Sequence, residues 1–183
     1  MRRTARVVLA LLAGLGAAGC RNPFSPQADI ELAHIYDASD SARFELRVQR
    51  QTPPIQEWVY TTFGMAVPIF IVKNKVGVNI TKVNIVYTDL AGNPVTTYRT
   101  TGGKTFRVLW HMDPRFDFTN SYGGEGVGWG FGIVVLDGNV YTELANQVGD
   151  TKAVIAHLTF WGEDDNGYDV KLTGDITIKG FGF

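Results

Sequence analysis

The fold is decided by a stretch near the C-terminus, residues 153–181, which reads AVIAHLTFWGEDDNGYDVKLTGDITIKGF. In its second half, apolar residues alternate with polar ones; the apolar set is Tyr168, Val170, Leu172, Ile176 and Ile178. Alternation with a period of two indicates a strand with one dry and one wet face. The apolar run 154–161 predicts a second strand, and Asn166-Gly167 between the two suits the left-handed backbone of a tight turn. The stretch therefore predicts a half-buried antiparallel hairpin.

The same period of two continues upstream. Further strands are predicted at 30–36, 44–48, 67–72, 78–88, 95–100, 106–112 and 131–136, and one short helix at 140–148. Within 78–88 the apolar phase switches, which predicts a bulge near Thr81 or Lys82. Pro68 lacks an N–H group, so its strand is predicted to be an edge strand or to contain a bulge. About eight or nine short strands predict an all-β antiparallel sandwich.

The C-terminal strand pair also carries a family resemblance. Residues 153–181 look like the closing strand pair of immunoglobulin-like or fibronectin-III-like domains in bacterial surface lipoproteins. The resemblance implies an immunoglobulin-like β-sandwich, which we assign to residues 29–183. The cysteine pair of antibody domains is absent, since the chain has one cysteine.

The N-terminus has the layout of an export signal. Residues 1–19 begin with arginines, continue with a short apolar run and end with small residues, and the apolar run is too short for a permanent membrane span. Residues 17–20, Ala-Ala-Gly-Cys, resemble the lipobox of bacterial lipoproteins. That resemblance implies cleavage before Cys20 and diacylglycerol on its thiol, and several acyl chains make a lasting anchor. The alternative is ordinary secretion, which would leave Cys20 as an unpaired thiol.

The segment after the cysteine suggests both a tether and a location. Residues 20–28 contain two prolines and few apolar residues, and are predicted to be the lipidated N-terminus and an extended tether. Arg21 stands where some lipoproteins carry an aspartate that retains them in the inner membrane. By that resemblance the outer membrane is favoured, with the domain facing the periplasm or the cell surface.

Length and charge limit the number of domains and the classes of partner. Removing 19 of the 183 residues leaves 164, which is enough for one domain with a core. Three of the 17 basic residues leave with the signal, so 14 basic residues face 18 acidic ones and the mature net charge is −4. An acidic chain lacks the electrostatic footprint of a nucleic-acid partner. No disulfide can form within one mature chain, and no cofactor is predicted.

A long aromatic loop is the candidate recognition surface. Residues 113–130 are predicted to form one loop, and exposed aromatic side chains with a few charges are typical of binding surfaces. The alternative is that these aromatics cap the open end of the sandwich. The candidate residues in and beside this loop are Trp110, His111, Arg115, Phe116, Phe118, Tyr122 and Trp129.

Neither catalysis nor metal binding has a clear sequence signature. His34 shares the apolar phase and is predicted to lie in the core or at an edge, whereas His111 and His157 are predicted to face solvent. Asp164, Asp165 and Asp169 carry oxygens of the kind calcium prefers, but they lack the spacing of an EF-hand, and a polar turn explains them without a metal. No nucleophile motif or paired-carboxylate motif is present, so no enzyme is predicted.

Three functional hypotheses follow. The leading one is a membrane-anchored, non-enzymatic lipoprotein that serves as a binding or structural module of the cell envelope, with a protein or glycan partner. The second is an outer-membrane β-barrel, suggested by the alternating strands and the C-terminal 181–183 aromatics. The third is a carbohydrate-binding or carbohydrate-cleaving sandwich, in which the stacking faces would come from Trp58, Trp110, Trp129 and Trp161.

Overall fold

The computed structural model describes residues 25–39, 45–49, 64–95, 103–114, 127–136, 138–147 and 152–181. Within these ranges the strands are β1 (Ile30–Asp37), β2 (Glu45–Gln49), β3 (Met65–Val72), β4 (Val78–Thr88), β5 (Lys104–Met112), β6 (Val127–Gly130), β7 (Ile133–Val134), β8 (Lys152–Asp164) and β9 (Asp169–Phe181). One helix, α1 (Gly138–Asn146), lies between β7 and β8. In this part of the chain no helix has the length and apolar character needed to cross a membrane.

The strands form two sheets. In the first, the order is β1-β3-β6, and β7 also pairs with β3; in the second it is β2-β9-β8-β4-β5. Among the described strands the chain changes sheet five times, between β1 and β2, β2 and β3, β3 and β4, β5 and β6, and β7 and β8. The predicted all-β sandwich is confirmed. One pair departs from the antiparallel expectation, because β2 runs parallel to β9.

Aromatic side chains join the two sheets in the core. Phe70 of β3 meets Phe160 of β8 edge to face, with ring centroids 5.1 Å apart, and both rings are fully buried. Edge-to-face contacts of this kind add to the stabilisation from burial. The alternation predicted for β9 is confirmed: Val170, Ile176 and Ile178 are buried and Leu172 packs against the core, whereas Lys171, Thr173 and Asp175 are exposed. The outer face of the five-stranded sheet is consequently polar.

The irregularity predicted in β4 is confirmed, whereas the strand that contains Pro68 is not an edge strand. The register of β4 shifts between Ile80 and Lys82 against both β5 and β8, which confirms the bulge at Thr81. Pro68 does not lie on an edge strand, because β3 has partners on both sides. It falls instead between the stretch of β3 that pairs with β6 and the stretch that pairs with β7. Its missing N–H group therefore interrupts no ladder.

Other local expectations need correction. Only Gly167 of the Asn166-Gly167 pair is left-handed, with φ of 78°, and its N–H donates to the carbonyl of Asp164 at 2.9 Å. The predicted strand 131–136 contains only the two residues of β7. The helix begins two residues earlier than expected. The predicted strand 95–100 lies outside the described residues after Val95.

Candidate functional site

Two tryptophans of the predicted recognition surface belong to the interior. Trp110, on the inward face of β5, stacks on Phe131 with centroids 4.8 Å apart and an interplanar angle of 7°. Trp129 lies in β6 opposite Phe70 and packs, half-buried, against the core. The end of the predicted loop is therefore a strand of the first sheet. Arg115, Phe116, Phe118 and Tyr122 lie outside the described residues, so their role stays a prediction.

The three histidines are well separated in the fold. His111 and His157 face outward as predicted, with side chains 49% and 39% exposed. His34 lies on β1, an edge strand among the described residues, which is one of the two positions predicted for it. The register of β1 shifts between Leu32 and His34, and this bulge turns His34 away from the core to pack beside Tyr36.

His157 takes part in a polar trio on the outer face of the five-stranded sheet. Its Nδ1 lies 2.8 Å from Oδ1 of Asp175, and its Nε2 lies 2.9 Å from Oγ1 of Thr88. A tautomer with the proton on Nδ1 donates to the carboxylate and accepts from the hydroxyl. Hydroxyl, imidazole and carboxylate occur in this order in hydrolases. Here, however, the trio is exposed and lines neither of the two surface grooves described below.

The turn between β8 and β9 is organised by a buried carboxylate. Oδ1 of Asp164 accepts the N–H groups of Asn166 and Tyr168, each at 2.9 Å, and Oδ2 accepts the N–H of Ala28 at 2.8 Å. A carboxylate is purely an acceptor, so three converging N–H donors satisfy most of its capacity. The polar-turn interpretation is therefore sufficient for Asp164. Among the described residues, no three His, Cys, Asp or Glu side chains are grouped as a metal ion requires.

The same turn holds the segment that precedes β1. The Asn166 amide donates to the carbonyl of Pro26 at 2.7 Å, and the Tyr168 hydroxyl donates to the carbonyl of Ser25 at 3.3 Å. On the other side, the Asn74 amide donates to the carbonyl of Gln27 at 2.8 Å. We call this set of contacts, together with the bond from Ala28 to Asp164, the N-terminal clamp. Four consecutive residues, 25–28, are thus fixed to the end of the sandwich.

The clamp corrects part of the predicted tether. Residues 20–28 are predicted to be an extended tether, whereas residues 25–28 are hydrogen-bonded to the domain. Cys20 itself lies outside the described residues. Only residues 21–24 separate it from the clamped segment.

A groove opens on the outer face where β4 bulges beside β5. It has a volume of about 990 Å³ and is lined by Thr81, Lys82, Thr105, Arg107, Val108 and Leu109. We call it the β4–β5 groove. Among the described residues that line it, two are cationic, two carry hydroxyl groups and none carries a carboxylate. Leu109 at its rim is 93% exposed, although it belongs to a strand of the second sheet.

The cations belong to a row that crosses four strands. Lys171 of β9, Trp161 of β8, Lys82 of β4 and Arg107 of β5 are direct register partners in turn. The Lys82 ammonium lies 4.2 Å from the centroid of the Trp161 ring, a cation–π contact. Arg107 ends the row on β5, which is an edge strand among the described residues.

Charge differs between the two ends of this row. A second groove, of about 680 Å³, lies beside Lys171 and Trp161; it shares Thr81 and Lys82 with the β4–β5 groove, and its lining includes the carboxylates of Glu163, Asp164 and Asp169. These carboxylates offset the positive charge at that end. Arg107 lines the β4–β5 groove and not the second one, and no described residue lining the β4–β5 groove carries a carboxylate, so this groove is the more favourable one for an anion.

Sequence reasoning missed the β4–β5 groove. Leu109 gave a signal, since it is an aliphatic residue in the otherwise polar phase of β5. The pairing of Lys82 with Arg107 left no signal in the sequence, because this pairing depends on the register of β4 and β5 across the bulge.

Comparison with known proteins adds little. No protein-family model matches the chain, and no curated protein matches it in sequence. A solution structure of a protein assigned provisionally to the late embryogenesis abundant (LEA) proteins is similar, with 14% sequence identity and a TM-score of 0.38. The match covers 97% of this chain and 86% of that one. A likeness of this size says nothing about function.

Proposed function

We propose that the protein is a lipid-anchored, non-enzymatic binding module of the bacterial cell envelope, in which Cys20 holds a β-sandwich close to the outer membrane. The first support is the sequence: an export signal that ends in a lipobox-like segment, and a single cysteine directly after it. Loss of the signal would leave that cysteine at the N-terminus. A lipid on its thiol would explain why an exported chain keeps one unpaired cysteine.

The observation that carries the proposal is the N-terminal clamp. An anchor can orient a domain only if the segment that joins them is short and attached at a defined place. Five steps of the chain separate Cys20 from Ser25, and at about 3.6 Å each they span at most about 18 Å. Because Ser25 is bonded to Tyr168, this short connection leaves the sandwich at the end that carries the β8–β9 turn. That end would face the membrane.

The non-enzymatic part of the proposal rests on the described side chains. The arrangement that comes nearest to a catalytic one is the trio of Thr88, His157 and Asp175, and it lies on an exposed sheet face outside both grooves. A hydrolytic site needs a place for the substrate beside its nucleophile. A cross-strand hydrogen-bond network explains the trio without catalysis.

The carbohydrate alternative receives less support. Sugar binding by stacking needs an exposed indole face, but Trp110 and Trp129 pack against the core. A lysine ammonium lies over the ring of Trp161. Trp58 lies outside the described residues. A binding role that uses the charged groups of the outer face fits these observations better.

The anchor is tested by moving the thiol. We would express the wild type, Cys20→Ser, and the double variant Cys20→Ser/Ser25→Cys, feed cells with labelled palmitate, and separate membrane from soluble fractions. The wild type should carry the label and sediment with membranes. Both variants should lose the label and become soluble, because the double variant keeps one cysteine outside the lipobox-like segment. Membrane retention of Cys20→Ser at the wild-type level would defeat the proposal.

A further inference from the structure

We propose that the β4–β5 groove binds the phosphate headgroups of an anionic membrane surface, with Leu109 entering the interfacial layer beside them. The inference deepens the proposed function and rests on it, since the anchor is what brings the membrane near. It assigns the chemistry of the binding face: two cations and two hydroxyl groups for phosphate oxygens, and one aliphatic side chain for the acyl boundary.

The polar half of the groove suits phosphate. Lys82 and Arg107 are register partners on neighbouring strands, and strands in a sheet lie about 4.8 Å apart. Neither forms an ion pair with a carboxylate among the described residues. Thr81 and Thr105 line the same groove and provide hydroxyl donors. A guanidinium group can donate two parallel hydrogen bonds to one phosphate, and an ammonium group adds a compact positive charge.

The apolar half of the groove gives a reason for the high exposure of Leu109. At 93% exposed it is by far the most exposed of the large hydrophobic residues described, ahead of Leu90 at 56%. A single exposed leucine needs no explanation by itself. This one, however, projects from the rim of a groove that contains two cations. Apolar residues flanked by basic ones are typical of surfaces that rest on membranes.

The position of the groove agrees with the anchor. Met112 of β5 pairs with Val78, which pairs with Asp164 at the clamped end of the sandwich. Leu109 is three residues from Met112, about 10 Å along the strand. The Leu109 end of the groove therefore lies toward the end of the sandwich that the short connection to Cys20 would hold near the lipid, and the Thr105 end lies about 13 Å farther along β5. The opposite end of β4, beyond Thr88, is about 33 Å away from Val78.

The test uses soluble full-length mature protein that carries Cys20→Ser, so that no lipid contributes. Sedimentation with vesicles of phosphatidylcholine alone is compared with sedimentation with vesicles that also contain phosphatidylglycerol. Binding is expected only to the anionic vesicles and should weaken as salt screens the charges. Lys82→Gln and Arg107→Gln should each lower partitioning about fivefold, because a cation near an anionic surface contributes about 1 kcal/mol. Leu109→Ser should lower it up to about tenfold through lost apolar burial.

Matched controls lie elsewhere on the domain. Arg47→Gln removes one cation from β2, the strand of the five-stranded sheet farthest from β5, where it pairs with Glu45 at 2.9 Å, and Leu90→Ser removes an exposed leucine from the turn after β4. Both should leave partitioning unchanged, and thermal unfolding verifies that every variant is folded. Equal loss in the controls, or equal binding to uncharged vesicles, would overturn the inference.

A competition experiment distinguishes binding to a membrane surface from binding to free phosphate. Inorganic phosphate is added to protein on anionic vesicles, and chloride is added to a second sample at the same ionic strength. Equal displacement by the two salts is expected for a headgroup surface. Stronger displacement by phosphate would assign the groove to a soluble phosphate ligand and overturn the proposal. Because all these measurements use protein without the lipid, their failure leaves the Cys20 experiment to be judged separately.

Discussion

At the scale of single residues, Asp164 connects the C-terminal hairpin with the N-terminal segment. Its buried carboxylate accepts N–H groups from both sides of the turn and from Ala28, far away in the chain. Hydrogen bonds to a charged acceptor are stronger than neutral ones. A buried donor that loses its acceptor also costs free energy, since water cannot replace it. One side chain thus stabilises a turn and fixes the start of the domain.

Asp164→Asn should show this double role. The amide keeps the shape of the side chain but turns one acceptor into a donor that faces an N–H group. We expect a loss of about 2 kcal/mol in the free energy of unfolding, measured by urea titration. Asp165→Asn is the matched control: the side chain is exposed in the same turn, and the change should cost less than about 0.5 kcal/mol. Equal losses would contradict the role of Asp164.

A second prediction at this scale concerns pH. The hydrogen bond from Lys179, aided by that from Arg47, lowers the pKa of Glu45 below its ordinary value of 4.5. The ionised carboxylate therefore stabilises the fold above the unfolded pKa, and this contribution is lost as pH falls through the lower folded pKa. Glu45→Gln should cost up to about 1 kcal/mol at neutral pH, and the difference from wild type should vanish in acid. A penalty that persists at about pH 2 would contradict the ion pair as its cause.

At the scale of elements, the bulge in β4 explains why a glycine stands opposite it. Gly162 of β8 pairs with Ile80, directly before the register shift. A Cβ added at Gly162 would overlap the carbonyl oxygen of Asn79 and crowd the Cα of Ile80. These are backbone atoms of a central strand, so they have no rotamer that would relieve the overlap. The tight approach of β8 to the bulge therefore requires glycine at this position.

Gly162→Ala should accordingly cost about 3 kcal/mol or more, visible as a lower midpoint in thermal unfolding. Gly174→Ala in β9 is the comparison. There an added Cβ meets the ends of the Leu32 and Ile35 side chains, which can rotate, so the loss should be smaller. If Gly162→Ala were tolerated as well as Gly174→Ala, the close approach of the two backbones would be wrong.

Elements also show how far the sequence could predict the structure. Period-two alternation located β4 and β9, and the phase switch at Thr81 revealed a bulge because large apolar residues flank it. The bulge in β1 gave no such signal, since Ala33 is small and His34 fits either face. The position of Pro68 in a central strand depends on the break between β6 and β7 in another part of the chain. Such pairings are properties of the folded molecule.

At the scale of the whole molecule, the sandwich has two distinct ends. The β8–β9 turn and the N-terminal clamp form one end, and the turn that follows β4, with Leu90, forms the other. Charge is also unevenly placed, because a chain with acidic excess brings Lys82 and Arg107 together in one groove. With the proposed lipid on Cys20, the clamp would hold the end that carries the β8–β9 turn towards the membrane and the Leu90 end away from it. The groove would then lie nearer the membrane than Leu90 does.

That orientation can be measured on lipidated protein in vesicles. Asp165→Cys and Leu90→Cys place a fluorophore at either end, and headgroup-attached quenchers in the bilayer should reduce the fluorescence of the first and spare the second. β4 alone spans about 33 Å from Val78 to Thr88, so the difference should be large. Inserting a glycine-serine segment after Asn22 should weaken quenching at position 165 without changing stability, since the insertion precedes the clamp. Equal quenching at both ends would mean that the clamp does not orient the domain.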